Sequence, residues 1–191
     1  MPVQADSPAT GSTQTIRPGQ LVIRPALTAE AHAVAELAAA TFPLACPPDM
    51  PNADQQTFIA GHLTAAHFAE HLRTPGHLVL VAEHEGALIG YTLTLIGEPL
   101  DQDLGAVPGT AYLSKCYLIP AAQGTGVAGR LMTATLDAAR ASGAPAVVLG
   151  VNGQNARAQA FYRRHGFEVA GERTFTVGAR TERDLVLTRT L

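Results

Sequence analysis

The segment 118–128, LIPAAQGTGVA, constrains the fold more than any other part of this sequence. A β-type run ends at Pro120, and a helical pattern begins near Gly126 after a turn that contains two glycines. Glycine lets the backbone approach a ligand closely, and the first amides of a helix have no intrahelical partner. Together with the helix dipole, such amides form an anion site, so this turn can hold a diphosphate without lysine or arginine.

The glycine turn has other interpretations. Glycines between a strand and a helix are often only a tight connection. The turn is not a P-loop, because no Gly-Lys-Ser/Thr follows, and Gly124, Gly126 and Gly129 only partly imitate the Gly-x-Gly-x-x-Gly of dinucleotide-binding folds. Those folds place their glycine turn after the first strand, whereas this turn lies past the middle of the chain.

Periodicity and turn residues predict an α/β fold with a mixed sheet. The predicted strands cover residues 21–24, 77–83, 87–96, 111–119, 146–151, 167–170 and 184–190. The predicted helices cover 29–40, 53–62, 65–72, 126–141 and 155–165, with Thr28, Asn52, Thr64 and Asn155 as the expected N-terminal capping residues. This order of elements fits a mixed sheet better than a strictly parallel one.

The domain organisation follows from composition. Residues 1–20 are rich in Pro, Ser, Thr, Gln and Gly and are predicted to be a disordered leader, which leaves 21–191 as a single domain. The leader lacks the basic start and apolar middle of a secretory signal, and no stretch approaches the roughly 18 apolar residues of a membrane span. Cys46 and Cys116 are far apart, with no C-x-x-C. We therefore expect a cytoplasmic protein with reduced cysteines and no membrane association.

The charge pattern argues against nucleic acid as a partner. Thirteen basic and sixteen acidic residues give a net charge of −3, and no run of Lys or Arg forms a positive stripe. The basic residues are twelve arginines and one lysine, Lys115. That bias, together with abundant alanine, is typical of GC-rich bacterial sequences.

A second segment, 151–167, reads VNGQNARAQAFYRRHGF. With the glycine turn, it resembles the GCN5-related N-acetyltransferases (GNAT). Their acetyl-CoA turn has the form Gln/Arg-x-x-Gly-x-Gly/Ala, and their next helix reads Asn-x-x-Ala-x-x-Phe-Tyr-x-x-x-Gly-Phe. The residues that match are Gln123, Gly126 and Ala128 in the turn and Asn155, Ala158, Phe161, Tyr162, Gly166 and Phe167 in the helix. The resemblance covers about 21–191 and implies a mostly antiparallel sheet flanked by helices, with a splayed central strand at the acetyl-CoA site.

Within that family the chain is similar to PaiA-like acetyltransferases, which act on polyamines and other small amines. The similarity depends on the strand segment 114–117, Ser-Lys-Cys-Tyr, and on the C-terminal segments 175–178 and 184–186. These patterns are less specific than the turn and the helix motif.

The resemblance also implies roles for individual residues, with acetyl-CoA as cosubstrate and no metal. The pantetheine arm would pair with the backbone of Tyr117 and Leu118. Asn155 would contact the cofactor arm or only cap its helix. Tyr162 would protonate the departing CoA thiolate, or would only pack beside Phe161. The pyrophosphate would lie on the backbone amides of Gln123, Gly124, Thr125, Gly126, Val127 and Ala128.

The general base for the acceptor amine is not identified by the sequence. Many family members carry a carboxylate on the strand before the turn, but here Tyr112 stands at about that position. Glu83 could act through a water, although a glutamate before a hairpin turn is more often only solvated.

Two further clusters have a functional and an ordinary interpretation. Glu98, Asp101 and Asp103 could attract a cationic amine, or could simply make a soluble loop. His67 and His71 have the i, i+4 spacing of a zinc chelate. No Glu follows His67, however, so we expect a solvated helix face and no metal.

The sequence therefore predicts an acetyl-CoA-dependent N-acetyltransferase that moves an acetyl group directly to a primary amine, with a small amine or polyamine favoured. Alternatives are a protein N-terminus, an amino acid or an antibiotic amine as acceptor, or an acyl-CoA-binding sensor without turnover. The missing carboxylate near Tyr112 favours the sensor, and Tyr162 argues against it. The expected partner is a small-molecule acceptor, and a homodimer is in keeping with the frequent dimers among relatives.

Overall fold

The computed structural model of the protein describes residues 20–47, 49–97, 104, 108–177 and 180–191. Its strands are β1 Leu21–Pro25, β2 His77–His84, β3 Ala87–Leu95, β4 Ala111–Leu118, β5 Ala146–Asn152, β6 Glu168–Val177 and β7 Arg180–Thr190. Its α-helices are α1 Ala31–Thr41, α2 Asn52–His62, α3 Ala65–His71, α4 Val127–Ala141 and α5 Ala156–Arg164. Short 3₁₀ turns cover Thr28–Glu30, Phe42–Ala45 and Pro120–Ala122.

The strands form one sheet in the order β1-β2-β3-β4-β5-β7-β6. Every neighbouring pair is antiparallel except β4 and β5, which are parallel. Parallel neighbours need a long crossover, and α4 lies in the connection between these two strands. The predicted mixed, mostly antiparallel sheet with flanking helices is therefore confirmed.

The core is formed on both faces of the sheet. Helices α1 and α3 pack on β2 and β3 around Val34, Phe68 and Tyr91, all of which are fully buried. On the other face, α4 carries Leu131 and Met132, one helical turn below Val127, into the core. The continuous apolar run of β2 agrees with this arrangement, because a central strand is covered on both faces.

The predicted helix caps have mixed outcomes. Thr64 caps α3 by accepting from the N–H of His67, and Asn155 caps α5 in the same way. Thr28 instead belongs to a 3₁₀ turn, and no side chain caps α1. Asn52 is already the first residue of α2 and makes no capping hydrogen bond.

The C-terminal strands are longer than predicted. In place of two short strands at 167–170 and 184–190, β6 and β7 form one long antiparallel hairpin at the sheet edge. Polar residues such as Glu172 and Arg173 obscure the β pattern there, because one face of an edge strand is open to solvent.

Some predictions fall outside the described residues. They are the disordered leader, except for Gln20, and the acidic loop of Glu98, Asp101 and Asp103. Within the described ranges, every helix is too short or too polar to cross a bilayer.

Candidate active site

Strands β4 and β5 separate after a short stretch of pairing. They are hydrogen-bonded only at Ala111 with Val147 and at Tyr112 with Val148, although β4 continues to Leu118. The β3–β4 register shifts just beyond this point, which makes Ser114 an extra residue in β4. A bulge of this kind bends the strand that carries it, so β4 turns away from β5. Strand β4 is therefore the splayed central strand that the sequence predicts, and a gap separates it from β5 beyond the paired residues.

This gap opens into a cleft of about 820 Å³, a volume typical of a small-molecule site. The cleft is lined mainly by the segment after α1, strand β4, the glycine turn and helix α5, and residues of α2, β5, β6 and β7 complete the lining. Of the ten residues proposed from the sequence, eight line it: Tyr117, Leu118, Gln123, Gly124, Gly126, Ala128, Asn155 and Tyr162.

The glycine turn presents a row of free backbone donors. Gly124 and Gly126 have φ of +78° and +87°, which only glycine adopts easily. Among the described residues, none accepts a hydrogen bond from the N–H groups of 124–129, and the first bond of α4 runs from Arg130 to Gly126. A Cβ on either glycine would meet no atom within 4 Å, so the turn has open space around it. These successive amides at a helix N-terminus fit a diphosphate.

One residue of the turn, Gln123, differs from the sequence prediction. The N–H of Gln123 is not free, because it donates to the carbonyl of Pro120 at 3.1 Å. The row of free amides therefore runs from 124 to 129 rather than from 123 to 128. Val127 can offer only its N–H, since its side chain is fully buried. The hydroxyl of Thr125 donates to the carbonyl of Ala122 at 2.7 Å and so closes the turn.

Helix α5 begins directly beside the turn. Asn155 Oδ1 accepts from the N–H of Ala158 at 3.0 Å, so its capping role is present in the structure. Arg157 donates to Gln123 Oε1 at 2.6 Å and thereby links α5 to the turn. Sequence reasoning missed Arg157, which also lines the cleft. The sequence did offer one signal for Arg157, since it lies two residues after the capping residue Asn155, in the first turn of α5.

The side chain of Tyr162 lies in the cleft beside β4. Its hydroxyl lies near the thiol of Cys116, and its ring packs edge-on against Phe161 and Phe167. Burial raises the pKa of the Tyr162 hydroxyl well above its usual value, and the nearby Cys116 adds to this effect. Burial likewise raises the pKa of Cys116 to about 12. Both groups are therefore protonated at neutral pH, and Tyr162 can act as a hydrogen-bond or proton donor.

Strand β4 is held in place by a close approach to β3. A Cβ at Gly90 would lie 3.0 Å from the carbonyl oxygen of Tyr117 and 2.9 Å from a carbon of Leu118. Glycine at position 90 therefore lets β4 pair tightly with β3. The other edge of β4 faces the gap. Ile89, next to Gly90, is an extra residue in the pairing with β2, so β3 has a bulge here.

We call the part of the cleft that is lined by Tyr112, Arg173, Asp184 and the segment after α1 the acceptor side. It carries a second polar cluster. Arg173 of β6 donates to Asp184 of β7 at 3.3 Å and reaches the hydroxyl of Tyr112 at 3.5 Å. Its guanidinium lies over Gly150, where a Cβ would come within 2.5 Å of it. The sequence did not indicate this cluster, because its members come from four different strands.

Apolar residues cover the acceptor side. The rings of Phe42 and Phe58 are stacked, with centroids 4.5 Å apart, and both line the cleft. Cys46 lies beside them, and burial raises the pKa of its thiol to about 11. The proline-rich segment after α1 thus forms one wall of the pocket.

Glu83 lies elsewhere. It accepts two hydrogen bonds from Arg24, at 2.9 and 2.6 Å, and it is not among the residues that line the cleft. The same arginine binds Glu30, so Glu83 belongs to a bridge between β1, β2 and α1. This arrangement gives no support to a role for Glu83 as the general base.

The histidines on and near α3 are engaged with neighbours. His67 Nδ1 lies 2.8 Å from Thr64 Oγ1, and His71 Nδ1 lies 2.9 Å from His77 Nδ1. Burial lowers the pKa of His71, and the positive charges of His77 and Lys115 lower it further. His71 is therefore half-buried rather than on a solvated face. No group of three or more potential ligands in the described part of the chain is arranged to hold a metal ion.

The chain is similar to known proteins in both sequence and fold. The sequence model of the acetyltransferase (GNAT) family matches residues 32–167. An uncharacterized N-acetyltransferase of Mycobacterium tuberculosis is 42% identical over 162 residues, which cover 85% of this chain and 98% of that protein.

Two solved structures share the fold. PaiA N-acetyltransferase from Thermoplasma acidophilum, in complex with coenzyme A, has a TM-score of 0.73 at 17% identity, covering 90% of this chain and 99% of that one. The yncA protein of Salmonella typhimurium, with its cofactor acetyl-CoA, has a TM-score of 0.63 at 24% identity, covering 90% and 94%. The chain therefore belongs to the GNAT family of acetyltransferases and is an acetyl-CoA-dependent N-acetyltransferase.

Proposed function

We propose that the protein transfers an acetyl group directly from acetyl-CoA to the primary amine of a small molecule within the cleft. The observation that carries this proposal is the continuity of the site. The free amides of 124–129, the open edge of β4 and the hydroxyl of Tyr162 border one cavity. Acetyl-CoA supplies the acetyl group as a thioester, and the protein mainly aligns the two substrates.

Each part of the site has a proposed task. The amides of 124–129 bind the pyrophosphate, and the backbone of Tyr117 and Leu118 at the gap pairs with the pantetheine arm. Tyr162 donates a hydrogen bond to the sulfur and then a proton to the thiolate. A thiol has a pKa near 8.5, so the thiolate leaves readily, and the contribution of this donor is modest.

The charges in the cleft bear on the acceptor. Asp184 is the one acidic residue among the described residues that line it, whereas Lys115, Arg157, Arg164 and Arg173 are basic. The preference for polyamines came from the resemblance to PaiA-like acetyltransferases and from the acidic loop, and that loop lies outside the described residues. The described lining gives a polycation no particular support, so we propose a small amine without restricting it to polyamines.

CoA-thiol release with acetyl-CoA tests the proposal across polyamines, amino acids, aminoglycosides and short peptides. We expect release with one class of amine and a decrease of about 10-fold or more in kcat for Tyr162→Phe. Tyr91→Phe is the matched control. Tyr91 is fully buried outside the cleft lining, and no described residue hydrogen-bonds to its hydroxyl.

Equal activity of Tyr162→Phe and Tyr91→Phe would contradict the role of Tyr162. If no amine causes release while acetyl-CoA still raises the melting temperature, the protein is an acyl-CoA-binding sensor and the proposal of turnover is wrong. A cytoplasmic location and a homodimer stay predictions, the first in keeping with an intracellular cosubstrate.

A further inference from the structure

Lys115 is unusual in both sequence and structure. The chain contains twelve arginines and one lysine. That lysine lies on β4, within the lining of the cleft and two residues before Tyr117. A sequence that otherwise uses arginine rather than lysine thus has its single lysine in the lining of the cleft.

The charge of Lys115 is poorly compensated. Its Nζ donates to Ser114 Oγ at 3.4 Å, which is long for a hydrogen bond. Among the described residues, no carboxylate forms an ion pair with it, and the nearby titratable group, His71, is also basic. Burial lowers the pKa of Lys115, because removal from water disfavours the charged form. An ammonium removed from water is stabilised strongly by an anion placed next to it.

The other cations of the cleft differ from Lys115. Arg173 is offset by Asp184 at 3.3 Å, Arg157 is bound to Gln123 beside the glycine turn, and Arg164 is exposed to solvent. Lys115 is paired with Leu93 of β3, so its side chain lies on the sheet face that carries Tyr91 and Leu93, the face on which Phe42 and Phe58 also pack. Its charge is therefore available to a ligand in the acceptor half of the cleft.

We propose that the acceptor is an amine that also bears a carboxylate, and that the ammonium group of Lys115 binds this carboxylate. One uncompensated positive charge matches the single negative charge of a carboxylate. The inference deepens the proposed function and rests on it, since it concerns the amine that takes the acetyl group. It separates amino-acid-like acceptors from simple amines and polyamines.

Pairs of amines that differ only by a carboxylate test the inference: ornithine and putrescine, arginine and agmatine, tyrosine and tyramine. We expect kcat/KM to be about 10- to 100-fold higher for the carboxylate-bearing member of the pair that is used, the range expected for a hydrogen bond to a charged group. Lys115→Met should abolish this preference, and Lys115→Arg should retain part of it. A preference for the decarboxylated member would overturn the inference, as would an equal decrease for both members in Lys115→Met.

The single lysine also permits a test that needs no turnover. Protein labelled with [ε-¹³C]lysine has one lysine signal, and we would titrate this signal in the CoA-bound protein with each amine of the three pairs. We expect a saturable shift with at least one carboxylate-bearing amine and a higher titration midpoint for Lys115 in its presence. No shift with any of them, or an equal shift with the decarboxylated partner, overturns the inference. If no amine supports CoA release, the proposed function fails, and this titration still decides whether Lys115 binds a carboxylate.

Discussion

Backbone N–H groups of residues 124–129 are the proposed phosphate end of the site, and the residues around them leave these groups without an acceptor among the described residues. Gly124 and Gly126 hold the left-handed conformation that turns the chain from Pro120 into α4. The hydroxyl of Thr125 donates to the carbonyl oxygen of Ala122 and does not bond to an N–H group of the turn. The side chains in this segment therefore shape the turn, and the backbone N–H groups stay available for the proposed anion.

Gly126→Asp tests the anion site at a single residue. Asp tolerates a left-handed conformation better than most residues, and open space surrounds this position, so the fold should be retained. The added carboxylate repels a diphosphate, and we expect the dissociation constant for acetyl-CoA to rise about 10-fold or more, measured by calorimetry.

The matched control is Gly86→Asp in the β2–β3 turn, where φ is +80° and no atom lies within 4 Å of the added Cβ. This variant should bind acetyl-CoA like the wild type. Equal weakening in both variants, or none in Gly126→Asp, would show that the diphosphate does not lie on this turn.

Gly150→Ala tests the position of Arg173. The added methyl group would lie 2.5 Å from the guanidinium, which is held by Asp184, so the side chain must move or the strand must shift. We expect a loss of about 1–3 kcal/mol in the free energy of unfolding, measured by urea denaturation. Gly171→Ala is the control, because nothing lies within 4 Å of its Cβ, and its stability should stay within about 0.5 kcal/mol of the wild type. If the two variants are equally stable, Arg173 is not fixed over Gly150.

A charge cluster outside the cleft lining joins three elements: β1, β2 and the start of α1. Arg24 of β1 binds Glu30 at the start of α1 and Glu83 of β2. The hydrogen bond from Arg24 lowers the pKa of Glu30 from about 4.5 to about 2. A lowered pKa in the folded state stabilises the fold above the unfolded value and is lost as the pH falls through the folded value.

Glu30→Gln should therefore lower the free energy of unfolding by about 1 kcal/mol at pH 7, a value discounted for the partial exposure of the pair. The difference from the wild type should shrink between about pH 4.5 and pH 2. Glu36→Gln, in the exposed pair with His32, removes the same charge and should leave stability unchanged. Denaturation at several pH values decides the matter, and a difference that persists undiminished at pH 2 would exclude the ion pair as its cause.

At the level of elements, the sequence predicts the helices better than the lengths and register of the strands. Local periodicity located every helix, and Thr64 and Asn155 were identified as caps because their hydrogen bonds are local. The extension of β6 and β7 was missed, because its residues are polar and its pairing is not local. The bulge at Ser114 leaves no mark in the sequence, since it depends on the register between two strands.

In the whole molecule, the two halves of the site were predictable to different degrees. The turn at 123–128 and the helix that carries Tyr162 are contiguous motifs, and both line the cleft, so the sequence was sufficient to bring them together as a candidate cofactor half. The acceptor half combines Tyr112, Arg173 and Asp184 from separate strands with a wall from the segment after α1. Such a set can be found only when the sheet order is known.

The central claim is direct transfer between two substrates bound in one cleft. Initial rates measured over a grid of acetyl-CoA and amine concentrations test it most directly, with mass spectrometry of the protein after incubation with acetyl-CoA alone. Direct transfer predicts intersecting double-reciprocal lines, CoA release only when the amine is present, and no acetylated enzyme before the amine is added. Parallel lines, together with an acetyl group on Cys116 or another side chain of the cleft, would show a covalent intermediate and contradict the account.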